Sequence, residues 1–194
     1  MIKKLKVLSL FSGIGAPEKA LSNLGINYEL VGFSEIDKYA IKSYCAIHNV
    51  DENLNLGDIS KIKIEDIPEC DLLLFGFPCQ DISVVGKQKG IIKGETRSGL
   101  LYECKKIIEN KKPKYLLMEN VKNLVSKKFK PQFDEWLKYL ESLGYTSYWK
   151  VLNSQNYGIP QNRNRVYCVS ILNDEFKFEF PKEVKLTTKL KDIL

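Results

Sequence analysis

At 194 residues and 44% hydrophobic, the chain is long enough for one domain with a substantial core. No run approaches the roughly 20 apolar residues of a membrane helix, and the N-terminus lacks the apolar core of a signal peptide, so a cytoplasmic protein is expected. One histidine and five cysteines without a Cys-x-x-Cys pair supply neither a metal site nor a disulfide framework, while a net charge of +6 admits an acidic polymer as partner.

Lys6 to Leu10 forms a short apolar strand that ends in the turn Ser12-Gly13-Ile14-Gly15. Pro17 suits the first turn of a helix that continues through Glu18-Lys19-Ala20-Leu21. Tyr28 to Ser34 reads as the next strand and Asp37 to His48 as an amphipathic helix. Asp71 to Phe75 and Lys114 to Glu119 are apolar enough for buried strands, and Ser98 to Glu109 between them is helical. Pro131 to Leu143 is a further helix, stopped by Gly144, and Tyr145 to Leu152 and Arg165 to Leu172 are two closing strands. This alternation predicts an α/β fold, a doubly wound, mostly parallel sheet of Rossmann-like type, whose ligands bind beyond the carboxyl ends of the strands.

The residues that could carry chemistry fall at those ends. The turn Phe11-Ser12-Gly13-Ile14-Gly15 lets a ligand approach the backbone, and Glu35, 22 positions after Gly13, is placed to bind ribose hydroxyls. Glu18 stands where a third glycine would complete the dinucleotide pattern, and a two-glycine turn is as readily a tight bend as a cofactor loop. In Gly76-Phe77-Pro78-Cys79-Gln80 a buried strand runs into a proline-stiffened turn that presents a cysteine, whereas Cys45, Cys104 and Cys168 fall inside helices or strands. Cys79 is therefore a candidate nucleophile. The segment from Asp81 to Arg97 is rich in glycine and lysine and reads as a loop that closes over a ligand. Glu119, at the end of an apolar strand, is placed either to cap the following helix or to handle a proton. Only three of the 30 basic residues are arginine, and two of these, Arg163 and Arg165, point to one side if the chain there is extended. Such sparing use of arginine suggests a need for its planar, multi-donor head group.

Seven short motifs follow one another: Phe-Ser-Gly-Ile-Gly at 11–15, Glu-Ile-Asp at 35–37, Gly-Asp-Ile at 57–59, Pro-Cys-Gln at 78–80, Arg-Ser-Gly-Leu at 97–100, Glu-Asn-Val at 119–121 and Gln-Asn-Arg-Asn-Arg at 161–165. In this order they closely resemble the motif set of the cytosine-5 DNA methyltransferase family, over residues 5 to 170. The resemblance implies the Rossmann-like fold of S-adenosylmethionine-dependent methyltransferases, in a catalytic domain over residues 1–172. It further implies that Cys79 adds to the target cytosine, that Glu119 holds ring N3, and that Arg165, supported by Arg163, contacts the exocyclic oxygen. For the S-adenosyl-L-methionine cofactor it implies Phe11, Gly13 and Gly15 at the methionine portion and Glu35 at the ribose. Ile36, Asp58 and Ile59 would lie at the adenine, and Pro78 and Leu100 at the sulfur end. The partner implied is double-stranded DNA with its target base flipped out, contacted by Gln80, Ser83, Lys87, Gln88 and Lys89. No metal is implied. His48 lies on a helix remote from the base-handling motifs, which leaves water to take the carbon 5 proton.

Two departures accompany the resemblance. Gly15-Ala16 stands where the family often has paired glycines. More consequentially, the family continues into a target-recognition domain and closing motifs that complete the cofactor pocket, and residues 173–194 read as a linker toward that region. A catalytic subunit of a split enzyme, completed by a companion polypeptide, a truncated piece and a minimal non-catalytic cofactor- or DNA-binding module are the three accounts of this. A tRNA cytosine-5 methyltransferase would share nearly all the motifs.

Overall fold

A computed structural model of the chain describes residues 3–83, 89–92, 94–175 and 177–192. Six strands form one sheet: β1 (Leu5–Leu10), β2 (Tyr28–Ser34), β3 (Leu72–Phe75), β4 (Tyr115–Val121), β5 (Tyr145–Asn153) and β6 (Asn164–Leu172). Four α-helices, α1 (Ala16–Asn23), α2 (Lys38–His48), α3 (Leu101–Lys111) and α4 (Lys130–Ser142), lie between the strands. The strand order is β2-β1-β3-β4-β6-β5.

The first four strands pair in parallel, as helical crossovers require, whereas β6 is antiparallel to both β4 and β5. The reason is local: the link from β5 to β6 contains a 3-10 turn, Ser154–Tyr157, but no helix, so the chain can only return antiparallel. The predicted mostly parallel sheet is thus correct for β2-β1-β3-β4, with an antiparallel pair at one edge. The start of the Ser98 to Glu109 helix also differs. Residues Arg97–Leu100 form a 3-10 turn, closed by the Thr96 side chain accepting from the Gly99 N–H, and α3 begins only at Leu101.

Local chemistry explains the element ends. Asp37 caps α2 by accepting from the N–H groups of Tyr39 and Ala40 at 2.9 and 2.8 Å. Asp71 accepts from the Lys6 N–H at 2.9 Å and from Lys3 Nζ at 3.2 Å, fastening β1 to the start of β3. The Lys6 N–H, followed by the lysine charges, holds this carboxyl below the usual aspartate range. The main core lies between the sheet and helices α3 and α4, where Leu8, Leu73, Phe75 and Leu116 meet Ile107, Ile108, Phe133 and Leu140. Full burial of each such side chain is worth roughly 1.5–3 kcal/mol. On the other face Leu21 of α1 packs on Val7, Leu72 and Leu74, and Tyr44 of α2 stacks on Phe33 at 4.3 Å.

From β2 the chain passes to the far side of β1 to form β3. Adjacent strand ends at such a reversal open a crevice, and here they deliver the glycine turn after β1 and the Cys79 turn after β3 to the same edge. No helix among the described residues is long and apolar enough to cross a membrane.

Candidate functional site

At the carboxyl edge, three backbone positions after β1 adopt positive φ: Phe11 at 55°, Gly13 at 54° and Gly15 at 77°. At Gly15 a glycine is required twice over, because a Cβ there would lie 2.1 Å from His48 Nε2. The turn is drawn toward the end of β2, where Glu35 Oε2 accepts from the Gly13 N–H at 2.9 Å. Glu35 Oε1 takes two more N–H groups, from Ile36 and Asp37, at 2.8 and 3.0 Å. A carboxylate offers about four acceptor sites, so Oε2 keeps one for a ligand hydroxyl.

Asn55 fixes the backbone of Glu35 from behind. Its side chain accepts from the Glu35 and Gly57 N–H groups at 3.1 and 3.0 Å and donates to the Glu35 carbonyl at 3.2 Å. Beyond Gly57, Asp58 accepts from the Ser60 hydroxyl at 2.7 Å and the Ser60 N–H at 3.0 Å, and these bonds hold its carboxyl low. Ile36 is 74% exposed at the rim, free to cover a flat ring, whereas Ile59 is buried in the core and can offer a ligand only its backbone.

The Cys79 turn is held from three sides. The buried Asn120 side chain donates to the Phe77 carbonyl at 3.1 Å, and the buried Ser98 hydroxyl donates to the Pro78 carbonyl at 2.7 Å. The N–H groups of Ile82 and Ser83 return to the Cys79 carbonyl at 2.9 and 2.7 Å. Arg97 Nη1 donates to Gln80 Oε1 at 2.6 Å. The result is a half-buried thiol on a turn with little freedom to move, flanked by the half-buried Pro78 and Leu100.

Glu119 closes β4 beside it. Gly76 permits this approach, since a Cβ at that position would lie 3.3 Å from the Glu119 carbonyl oxygen. Arg165 Nε lies 2.9 Å from Glu119 Oε1 and Arg163 Nη2 3.7 Å from the same oxygen, so both arginines converge on the acid. The register sets Tyr167 opposite Glu119 and Arg165 opposite Val121. Tyr167 is a site residue with no motif of its own in the sequence; it continues the alternation of Arg163, just ahead of β6, and Arg165. Burial, and then the Glu119 charge, push its phenol up.

A cavity of about 520 Å³ runs along the sheet face beside α1, lined by Phe11, Ser12, Ile14, Gly76, Glu119 and Arg163 among others. It joins the glycine turn to the acid–arginine cluster, while Glu35, Asp58 and Cys79 stand around the same edge outside its lining. Ser12 Oγ is buried without a hydrogen-bond partner among the described residues, a vacancy that a polar ligand in this cavity would fill. The spare Glu35 acceptor, the Ser12 hydroxyl and the exposed Ile36 together fit a ligand with polar and flat aromatic parts. No group of metal-binding side chains occurs among the described residues. Of the residues expected at DNA, Gln80 and Lys89 are exposed and Ser83 is half-buried; Lys87 and Gln88 lie outside the described residues. The braces Asn55, Ser98 and Asn120 carried no signal of their own in the sequence beyond lying in or next to motifs.

Comparison with known proteins identifies the family. A family model described as C-5 cytosine-specific DNA methylase matches residues 5–194. The type II methyltransferase M2.ScrFI of Lactococcus lactis subsp. cremoris is 42% identical, over 98% of this chain and 67% of that protein. The orphan methyltransferase M.SPRI of Bacillus phage SPR is 49% identical, over 98% of this chain but 42% of its own length. The crystal structure of the S. pombe Dnmt2 methyltransferase superposes with a TM-score of 0.72 at 28% identity, covering 92% of this chain and 52% of that one. The chain therefore spans about half of the solved relative and between 42% and 67% of the two sequence relatives. With a cysteine-bearing turn, an acid–arginine cluster and a glycine turn on one edge, and a family match along nearly its whole length, the chain belongs to the C-5 cytosine-specific DNA methylase family.

Proposed function

We propose that the chain is the catalytic, S-adenosylmethionine-binding part of a DNA (cytosine-5-)-methyltransferase, acting through Cys79 on a flipped-out base. The observation that carries this reading is the shared edge at which the braced Cys79 turn, the Glu119–Arg165 pair and the glycine turn with Glu35 meet.

S-adenosylmethionine supplies the methyl group from its sulfonium. Carbon 5 of cytosine is a poor nucleophile, and Cys79 overcomes this by adding its sulfur to carbon 6. The electron pair of the ring double bond then moves to carbon 5, which can attack. Glu119 holds ring N3 and shares a proton there, so that negative charge does not build up on the ring. Arg165 fixes the Glu119 carboxylate through Nε, and the two arginines present further donors toward the exocyclic oxygen. Once carbon 5 carries the methyl group, its proton passes to water, the ring double bond re-forms and the Cys79 sulfur leaves. Phe11, Ser12, Gly13 and Gly15 would hold the methionine portion of the cofactor, Glu35 its ribose, and Ile36 and Asp58 its adenine. Gln80, Ser83 and the lysine-bearing segment through Lys87, Gln88 and Lys89 would face DNA.

Residues 1–172 are the catalytic domain in this reading, and residues 173–194 lead toward a target-recognition region carried by a companion polypeptide. The tail runs beside β5 toward the carboxyl edge: Phe178 packs on Tyr148 at 5.8 Å and the Val184 N–H donates to the Asn156 carbonyl at 2.8 Å. It thus leads to the side on which DNA would lie, and the bacterial and phage methyltransferases to which the chain is similar support a cytoplasmic location.

The test is a covalent trap. The chain is incubated with S-adenosylmethionine and duplex DNA containing 5-fluorocytosine, whose fluorine cannot leave as the proton does. A stable adduct that the Cys79→Ser variant does not form is expected, with or without added companion. No adduct from a folded chain under either condition would overturn the reading. Duplex DNA and tRNA are assayed in parallel, and methylation of tRNA alone would overturn the choice of polymer, which rests on the family's description as a DNA methylase.

A further inference from the structure

One strongly charged segment at the catalytic edge has no part in the chemistry above. Between Glu119 and Asp134 the chain carries Lys122, Lys127, Lys128 and Lys130 and no carboxylate. Both bounding acids are already committed, Glu119 to Arg165 and Asp134 to Lys130. Lys122, Lys127 and Lys128 are exposed, and no ion pair among the described residues involves Lys122 or Lys127.

The scaffold under these lysines is firm. The 3-10 turn Lys122–Val125 follows β4 directly, and Leu124 and Phe129, 1% and 3% exposed, anchor the segment in the core on either side of Lys127 and Lys128. The Ser126 carbonyl accepts from the N–H groups of Phe129 and Lys130 at 3.1 and 2.8 Å, closing the turn into α4. The Asn123 side chain donates to the Ile82 carbonyl, tying the segment to the chain that leaves Cys79. The three exposed lysines therefore stand on a fixed frame at the edge where the nucleophile emerges, with Lys128 Nζ 5.2 Å from the centre of the Phe129 ring.

We propose that Lys122, Lys127 and Lys128 form a phosphate-contact tract that grips the DNA backbone beside the flipped base. The inference rests on the reading of Cys79 as the nucleophile toward DNA. Lysine ammonium groups are point charges, suited to phosphates and not to bidentate reading of base edges, so the tract contributes affinity without sequence preference. The chain then has affinity for duplex DNA of its own, before any target-recognition region takes part.

The measurement is fluorescence anisotropy of a labelled duplex of arbitrary sequence titrated with the chain at salt concentrations from about 50 to 200 mM, the range over which phosphate contacts dominate the change in affinity. Each lysine-phosphate contact contributes about 0.9 to the slope of log affinity against log salt, so replacing all three lysines by glutamine makes the slope shallower by roughly 2.7. A control set, Lys4, Lys112 and Lys114→Gln, removes the same charge at the opposite edge, ahead of β1 and β4, and leaves the slope unchanged. Circular dichroism and S-adenosylhomocysteine binding confirm that both sets remain folded.

An unchanged slope in the Lys122, Lys127 and Lys128 set would overturn the tract. So would an equal loss in the control set, or no binding by the unaltered chain at low salt. The 5-fluorocytosine adduct reports the catalytic reading separately. Loss of slope in a chain that forms no adduct keeps the tract and sinks the catalysis, whereas an adduct with an unchanged slope does the reverse.

Discussion

Cys79 differs from the other four cysteines in position before it differs in reactivity. Burial pushes the Cys70 thiol up to about 12 and the Cys168 thiol to about 11, and raises Cys104 further still. Cys45, half-buried on α2, is raised by desolvation and then by the carboxylates of Glu52 and Asp51. Only thiolates react with alkylating reagents, so at pH 8 the three buried cysteines are both shielded and protonated. Cys79, half-buried on its turn, is expected to be the first cysteine alkylated by iodoacetamide in the native protein, with Cys45 behind it. Cys70, Cys104 and Cys168 should react only after unfolding. Mass spectrometry of timed digests checks the order, and early labelling of Cys70 or Cys104 would contradict this account. Cys79 was legible as a candidate nucleophile because a proline-stiffened turn after a buried strand sets it apart from cysteines inside helices or strands. The partners that hold it were not, because Ser98 and Asn120 act through contacts 20 and 43 residues away along the chain.

The elements were largely legible for the same reason: β2, from Tyr28 to Ser34, is bounded by turns, and Asp37 and Gly144 mark helix ends by chemistry confined to a few residues. The insertion of β6 between β4 and β5 left no local mark, since strand neighbours are chosen by packing. The role of α2 was equally hidden. His48, on its last turn, sits 3.0 Å from the Ile14 carbonyl through Nε2, which must therefore carry the proton and donate. Tyr44, one turn earlier, donates to the buried Glu18 carboxylate of α1 at 2.8 Å. These two bonds clamp the glycine turn between α1 and α2, which makes His48, in the proposed reading, a positioning residue for the cofactor. Loss of one such bond costs about 0.5–1.5 kcal/mol, equivalent to roughly 2- to 13-fold in affinity. His48→Ala is expected to weaken S-adenosylhomocysteine binding by up to that factor in calorimetry, with a fall in melting temperature of about 1–6 °C. His48→Gln, which retains an N–H donor of similar reach, should recover most of it. Equal affinity in all three proteins would leave His48 a packing residue only.

At the scale of the molecule, the two faces of the sheet are unequally covered. Along β6, Val166, Cys168 and Ser170 are buried under α4 and its neighbours, while Arg165, Tyr167, Val169 and Ile171 on the other face are only half-buried. On that second face α1 and α2 cover β1 and β2, and the tail aromatics reach only as far as Tyr148, so Leu117, Tyr167 and Val169 remain partly open beside the cavity. Half-exposed apolar side chains in a contiguous row are a surface that another polypeptide segment can bury. Because this open strip borders the same cavity as Ser12 and Ile14, a segment laid across it would also wall in the cofactor. The proposed companion polypeptide is therefore expected to raise S-adenosylhomocysteine affinity at least 10-fold by titration calorimetry. Val169→Lys places a charge on the strip without touching the cavity lining. It should leave the folded chain's own affinity unchanged while abolishing the companion's gain, because binding would then bury an unpaired ammonium group. An affinity indifferent to the companion, or a gain that survives Val169→Lys, would mean that the cofactor site of this chain is completed from within or from another surface.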